Sequence, residues 1–151
     1  MIGYLEYNSW IYDALLRRGR RIFCIAADDN HNMPTRNWDS FGGWTMICAE
    51  KLEYRAVTRA LEAGRFYASR GPEIRSLSVE DGTVRLLCSD AETIHFTTAQ
   101  RHGSTLIAPE GGALREGSFE LLPDDVYFRV TVTDHRGRTA SSNAYFLDTL
   151  T

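Results

Sequence analysis

Two rhythms of apolar and polar positions run along the chain, and one gives way to the other near residue 72. In the first part, WIYDALLRR places Ile11, Ala14 and Leu15 on one face at helical spacing, with Ser9 as N-cap and Gly19 as stop. RIFCIAA, residues 21–27, is a short and nearly continuous apolar run, the pattern of a strand buried on both faces. It runs straight into the polar cluster DDNHN and a long segment holding Pro34, Gly42 and Gly43. WTMIC predicts another short strand. EKLEYRAVTRALEAG predicts an amphipathic helix, with Leu52, Ala56, Val57, Ala60 and Leu61 inward and Gly64 at its end. These are pieces of an α/β layer, with too few strands to close a parallel sheet.

After residue 72 the period is two. IRSLSVE and TVRLLCS flank Asp81-Gly82, a strong hairpin signal. ETIHFTTAQ, SFELLP, VYFRVTVTD and TASSNAYFLD follow at sandwich-like spacing, with HRGR at the tip of the last hairpin. Within VYFRVTVT, Val126, Phe128, Val130 and Val132 point one way, and Tyr127, Arg129, Thr131 and Thr133 point the other. One face therefore packs on a core, and the other meets solvent or a neighbour. Six to seven strands in the last eighty residues predict an immunoglobulin-like antiparallel β-sandwich.

Composition narrows the function classes. Of 151 residues, 43% are hydrophobic and 25% charged, as in soluble globular proteins. A net charge of −3 argues against broad, non-specific nucleic-acid binding. No apolar run reaches the roughly 18–20 residues that span a bilayer, and MIGYLEYNSW lacks the basic and apolar regions of a signal peptide. Cys24, Cys48 and Cys88 are odd in number and lie in apolar, strand-like surroundings. They predict buried, reduced thiols and a cytoplasmic protein.

The chemistry concentrates in DDNHN. Asp29 and His31, two apart in extended chain, project to the same side at the end of the buried run. A carboxylate oxygen beside an imidazole nitrogen suits zinc, manganese or iron. The alternative is an ordinary polar loop whose Asp and Asn side chains satisfy local backbone N–H groups. Asp28 faces away from Asp29, which assigns it to neutralising, supporting or capping the loop. Arg36 and Arg70 are placed to reach a substrate phosphate from the surrounding loops. Trp38, Phe41 and Trp44 cluster around Gly42-Gly43, either lining a pocket mouth or packing the loop on the sandwich. The basic run Arg17 to Arg21 either complements a helix C-terminus or forms a phosphate or nucleic-acid patch. His95 falls on the outer face of a strand, and His102 and His135 are expected to be exposed beside turn glycines.

IFCIAADDNHN, then DSFGGWTMICAEKL, then RALEAGRFYASRGPEI together resemble the end of a polymerase-and-histidinol-phosphatase (PHP) domain. More narrowly, they are similar to PHP-like proteins in which the barrel is followed by a small β-sandwich, which YFRVTVTDHRGRTASSNAYFLD fits. The resemblance implies an α+β chain: residues 1–72 as the C-terminal remnant of a (β/α) barrel, and residues 73–151 as the sandwich. It implies phosphoester hydrolysis by metal-activated water in the full-length protein, acting on a phosphorylated small molecule or a phosphodiester. Two or three divalent ions would be bound there, with Asp29 and His31 as two of the ligands. The family's early H-x-H pair and mid-barrel ligands have no counterpart among the four histidines here. The expectation is a C-terminal portion that binds metal weakly or not at all and lacks hydrolytic activity by itself. A non-catalytic sandwich module that binds a carbohydrate or protein partner is the other reading. The apolar strand edges of an incomplete layer also invite self-association.

Overall fold

The computed structural model describes residues 9–28, 30 and 40–150. Asp29, His31, Arg36 and Trp38, all singled out in the sequence, lie outside the described residues.

Two antiparallel sheets face each other. The smaller consists of β3 (Ile74–Glu80), β4 (Thr83–Ala91) and β7 (Leu114–Glu120), in that order. The larger runs β1 (Trp44–Ile47), β2 (Phe66–Ser69), β9 (Thr139–Ser142), β8 (Tyr127–Thr133), β5 (Thr93–Thr98), β6 (Gly103–Ile107). A two-residue strand, β10 (Tyr145–Phe146), also pairs with β8. Asp81 and Gly82 both take positive φ, 48° and 73°, and close the β3–β4 hairpin as a type I′ turn. β6 is not among the strands the pattern predicts: GSTLI has too short an alternation to stand out.

The sandwich core lies between the sheets. Val84, Leu86 and Cys88 of β4 meet Ile94 and Phe96 of β5, and Phe128, Val130 and Val132 of β8. Phe96 stacks on Phe119 with ring centroids 5.3 Å apart. At Gly117 a Cβ would stand 2.9 Å from the Leu106 Cδ1 methyl, which would have to shift to admit it. Val126, expected on this core face, instead sits outside β8 at φ 62° and is half exposed. The preceding turn, Pro123–Asp125, ends there and redirects the chain.

The outer face of the larger sheet meets a neighbour. Helix α1 (Ser9–Arg17) lays Tyr12 and Leu16 against Tyr127 and Phe146. The predicted face was Ile11, Ala14 and Leu15; the buried residues are Tyr12, Asp13 and Leu16, and Ile11 is 41% exposed. The cause is an ion pair that apolar periodicity cannot register. Asp13 Oδ1 and Oδ2 each accept a 2.7 Å hydrogen bond from the buried Arg129 guanidinium, and this rotates the helix toward β8. Gly19 ends α1 at φ 78°, with Gly19 N–H donating to Leu16 O and Arg20 N–H to Leu15 O, a Schellman arrangement.

Helix α2 (Tyr54–Glu62) ends in the same way at Gly64, through Gly64 N–H to Leu61 O and Arg65 N–H to Ala60 O. Its apolar stripe is barely covered. Ala60 is buried, Ala56 and Val57 are half-buried, and Leu52 lies before the helix at 97% exposure.

RIFCIAA departs most from expectation. It is extended but pairs into no ladder, and Phe23, Ile25 and Ala27 are exposed, while Cys24, Ala26 and Asp28 are half-buried. Every strand pair among the described residues is antiparallel. The boundary at residue 72 falls between β2 and β3, and β2 pairs with β9 across it. No described helix is long and apolar enough to cross a membrane.

Candidate functional site

The segment leading to DDNHN is fixed at every second residue by a side chain from elsewhere in the fold. Cys24 N–H donates to Asn143 Oδ1 at 2.8 Å. Ala26 N–H donates to Thr45 Oγ1, whose hydroxyl donates back to Ala26 O. Asp28 then accepts from Phe41 N–H at 2.6 Å and Gly43 N–H at 2.7 Å. These three attachments stand in for a strand ladder up to Asp28.

Asn143 is 1% exposed and uses its whole amide: Nδ2 donates to Gly64 O and Phe66 O, each at 3.0 Å. One buried side chain thus joins the end of α2, the start of β2 and the polar segment. Nothing in the sequence marks it beyond an Asn between two strand-like runs. Thr45 is equally silent, a strand residue whose hydroxyl stands in for a backbone group.

Asp28 caps the glycine loop, as its position relative to Asp29 suggests. The amides of Gly43, Phe41 and Gly42, in that order of effect, hold its carboxyl below the usual carboxylate range. Phe41 takes φ 61° to aim its amide at the carboxylate. Gly43 is buried, and a Cβ there would make ordinary contact with the Ala26 Cβ at 3.4 Å and Ser69 O at 3.7 Å. Each Asp28 oxygen accepts a backbone N–H, which makes the side chain a support for the loop.

Arg70 is brought to the same loop, with Nε donating to Gly42 O at 3.3 Å. Phe41 does not pack the loop on the sandwich, being 86% exposed, whereas Trp44 is half-buried at the start of β1. Asn30 Nδ2 bonds Ser40 Oγ, tying the cluster to the start of the glycine loop. Among the described residues no group of three or more His, Cys, Asp or Glu side chains is placed to hold a metal ion.

Other polar groups lie apart from this loop. An open cleft of 480 Å³ is lined by Gly71, Glu73, Arg75, Asp90, Asp134 and Arg138, among others. Its carboxylates are all matched by arginines: Glu73 with Arg75, Asp90 with Arg115, Asp134 with Arg138. The Arg17–Arg21 run is partly structural, since Arg17 Nε donates to Ala99 O and Arg21 pairs with Asp148 over the Phe146 ring.

The histidines divide. His95 is on the outer face as predicted, and its pKa is lowered by burial and then by Arg129. His135 is exposed. His102 is not: it is half-buried, lies on Phe119 and bonds both oxygens of buried Asp125 at 2.9 Å. Asp125 in turn accepts from Leu122 N–H, so the pair fastens the β5–β6 hairpin to the turn before β8. The cysteines also divide: all three are free thiols, Cys88 buried, Cys24 half-buried and Cys48 exposed. The expectation of three buried thiols holds in full for Cys88, in part for Cys24, and is corrected for Cys48, which follows the edge strand β1.

No family model, curated protein or solved structure matches the chain.

Proposed function

We propose that the chain is the C-terminal portion of a PHP-like metal-dependent phosphoesterase, and that DDNHN supplies part of its metal site. The observation that carries this reading is the anchoring of the segment at Cys24, Ala26 and Asp28. An otherwise solvent-facing strand is fixed by buried and half-buried groups up to the residue before Asp29, a costly arrangement for a loop with no task. A carboxylate oxygen from Asp29 and an imidazole nitrogen from His31 suit manganese, zinc or iron. A bound divalent ion there would polarise a phosphoryl oxygen and activate water. Within this chain, Asp28 holds the glycine loop closed, and Arg70, bonded to that loop, is the residue assigned to a substrate phosphate.

Two donors fall short of the roughly three protein ligands a catalytic zinc uses. The chain alone is therefore assigned no hydrolytic activity; the remaining ligands belong to a barrel of which residues 1–72 would be the end. The strand orders β3-β4-β7 and β9-β8-β5-β6 fit an immunoglobulin-like sandwich appended to it. A second reading rests on Phe41. A nearly fully exposed aromatic ring at the tip of a glycine loop suits a non-catalytic module that stacks on a carbohydrate or contacts a protein partner.

Titration of the purified chain with manganese or zinc, followed by residue-resolved NMR, separates these readings. The phosphoesterase reading expects weak binding that Asp29→Ala and His31→Ala abolish, with no phosphoester hydrolysis. Binding indifferent to both substitutions overturns the ligand assignment. Robust hydrolysis lost in those variants overturns the claim that the site is incomplete. Saccharide binding lost in Phe41→Ala favours the second reading.

A further inference from the structure

Ile22 to Asp28 pairs into no ladder, yet its burial and its bonds to side chains alternate as they do along a strand with one occupied edge. The backbone groups engaged are those of even residues: Ile22 O accepts from Tyr12 Oη, Cys24 N–H donates to Asn143, and Ala26 uses both its groups on Thr45. In extended chain, even and odd residues direct their N–H and C=O groups to opposite edges. Phe23, Ile25 and Ala27 therefore present the other edge, and among the described residues nothing bonds their backbone groups. Their side chains are exposed too, Phe23 by 51% and Ile25 by 67%. An open apolar edge of this kind is a template for another strand.

The charges at its ends select the occupant. The run reads Arg20-Arg21 at the start, five apolar residues and Ala27, then Asp28. A parallel copy would set arginine on arginine and aspartate on aspartate. An antiparallel copy sets each basic end on an acidic one, and opposite charges across a strand pair are favourable while like charges are not.

We propose that this edge pairs antiparallel with the same segment of a second copy of the chain, about a two-fold axis through Cys24. The open groups of Phe23 and Ile25 then form hydrogen-bonded pairs, Phe23 of one copy against Ile25 of the other. Arg20 stands opposite Asp28 at both ends; Arg20 is exposed and has no ion pair among the described residues. Cys24 faces its own counterpart in a non-hydrogen-bonded pair. The Cα separation there, about 4.5 Å, lies within the range a disulfide spans. The pairing uses neither Asp29 nor His31, and it concerns the chain without the barrel that the proposed function places before it.

Sedimentation velocity from micromolar to millimolar chain, with mild oxidation in a Cys48→Ser background, tests it. The proposal expects a concentration-dependent dimer that oxidation traps through Cys24 and Cys24→Ser leaves untrapped. Ile25→Lys, on an exposed side chain that the monomer fold does not need, weakens the dimer by tenfold or more, and Arg20→Glu weakens it less. A monomer at every concentration overturns the proposal, as does a dimer that Ile25→Lys leaves unchanged and Cys24 does not cross-link.

Discussion

The sandwich and the part before it handle apolar residues in opposite ways. Between the sheets, Val84, Ile94, Phe96, Val130 and Val132 are fully buried. Before residue 72, Phe23, Ile25, Met46, Ile47 and Leu52 are exposed, and α2 buries only Ala60. The first region has a closed core of its own. The second has the pieces of one: Asp13 on Arg129, Asn143 on Cys24 and the packing of Tyr12 and Leu16 on Tyr127 and Phe146 hold it to the sandwich, and Asp28 on the glycine loop holds it to itself. Burial stabilises the one, and hydrogen bonds at a few buried side chains organise the other.

The sharpest way to break this contrast is to remove the same kind of ring from each region. Phe96→Ala in the sandwich core is expected to cost about 3–5 kcal/mol in denaturant unfolding. Phe23→Ala, half exposed and in edge contact with Phe66, is expected to cost under about 1 kcal/mol. Comparable losses would mean that the part before residue 72 has a core as complete as the sandwich's.

Asp13→Ala isolates the attachment of α1. Arg129, with 4% side-chain exposure, would lose its carboxylate partner, and breaking a buried pair from one side costs about 3–5 kcal/mol. Replacing both residues by apolar ones of similar volume should recover most of that loss, which separates an unpaired charge from lost packing.

Asn143→Ala is expected to cost about 1–3 kcal/mol, the penalty of leaving buried backbone groups unpaired. Its diagnostic effect is local. Amide exchange at Cys24 should accelerate while β4 and β5 hold their protection.

The smallest effect is the pH response of the glycine loop. The folded-state pKa of Asp28 lies below its unfolded value, so its stabilisation is complete above about pH 4. It is lost as pH falls through the lower, folded value. The Phe41 and Gly43 amide shifts should stay constant from neutral pH down to that point and move only in stronger acid. Movement near pH 6 would assign the loop's hold to another group.

What the sequence revealed follows the same division. Period-two alternation marks β3, β4, β5 and β8 because each has one face on a core, and Asp81-Gly82 marks a turn that only positive φ can make. The glycine stops at Gly19 and Gly64 are equally local. The rest depends on partners far away in the chain. The inward face of α1 is set by Arg129, more than a hundred residues on, and the state of RIFCIAA by whether a strand lies on its second edge. Apolar content at residues 21–27 reports a capacity to be buried, not a neighbour that buries it. Of the candidate site, the alternation of Asp28 with Asp29 left capping as one of three roles; the hydrogen bonds to Phe41 and Gly43 are those of a cap. The supports Asn143 and Thr45 were not legible, because a buried amide or hydroxyl has no sequence signature until its partners are known.

Residues 22–28 are held along one edge and, among the described residues, have no backbone partner along the other. Residue-resolved amide exchange on dilute, monomeric chain tests this most directly. The account predicts protected amides at Cys24 and Ala26 alternating with fast exchange at Phe23, Ile25 and Ala27, the odd set gaining protection as concentration rises. Uniform protection, or uniformly fast exchange, along the segment would contradict it.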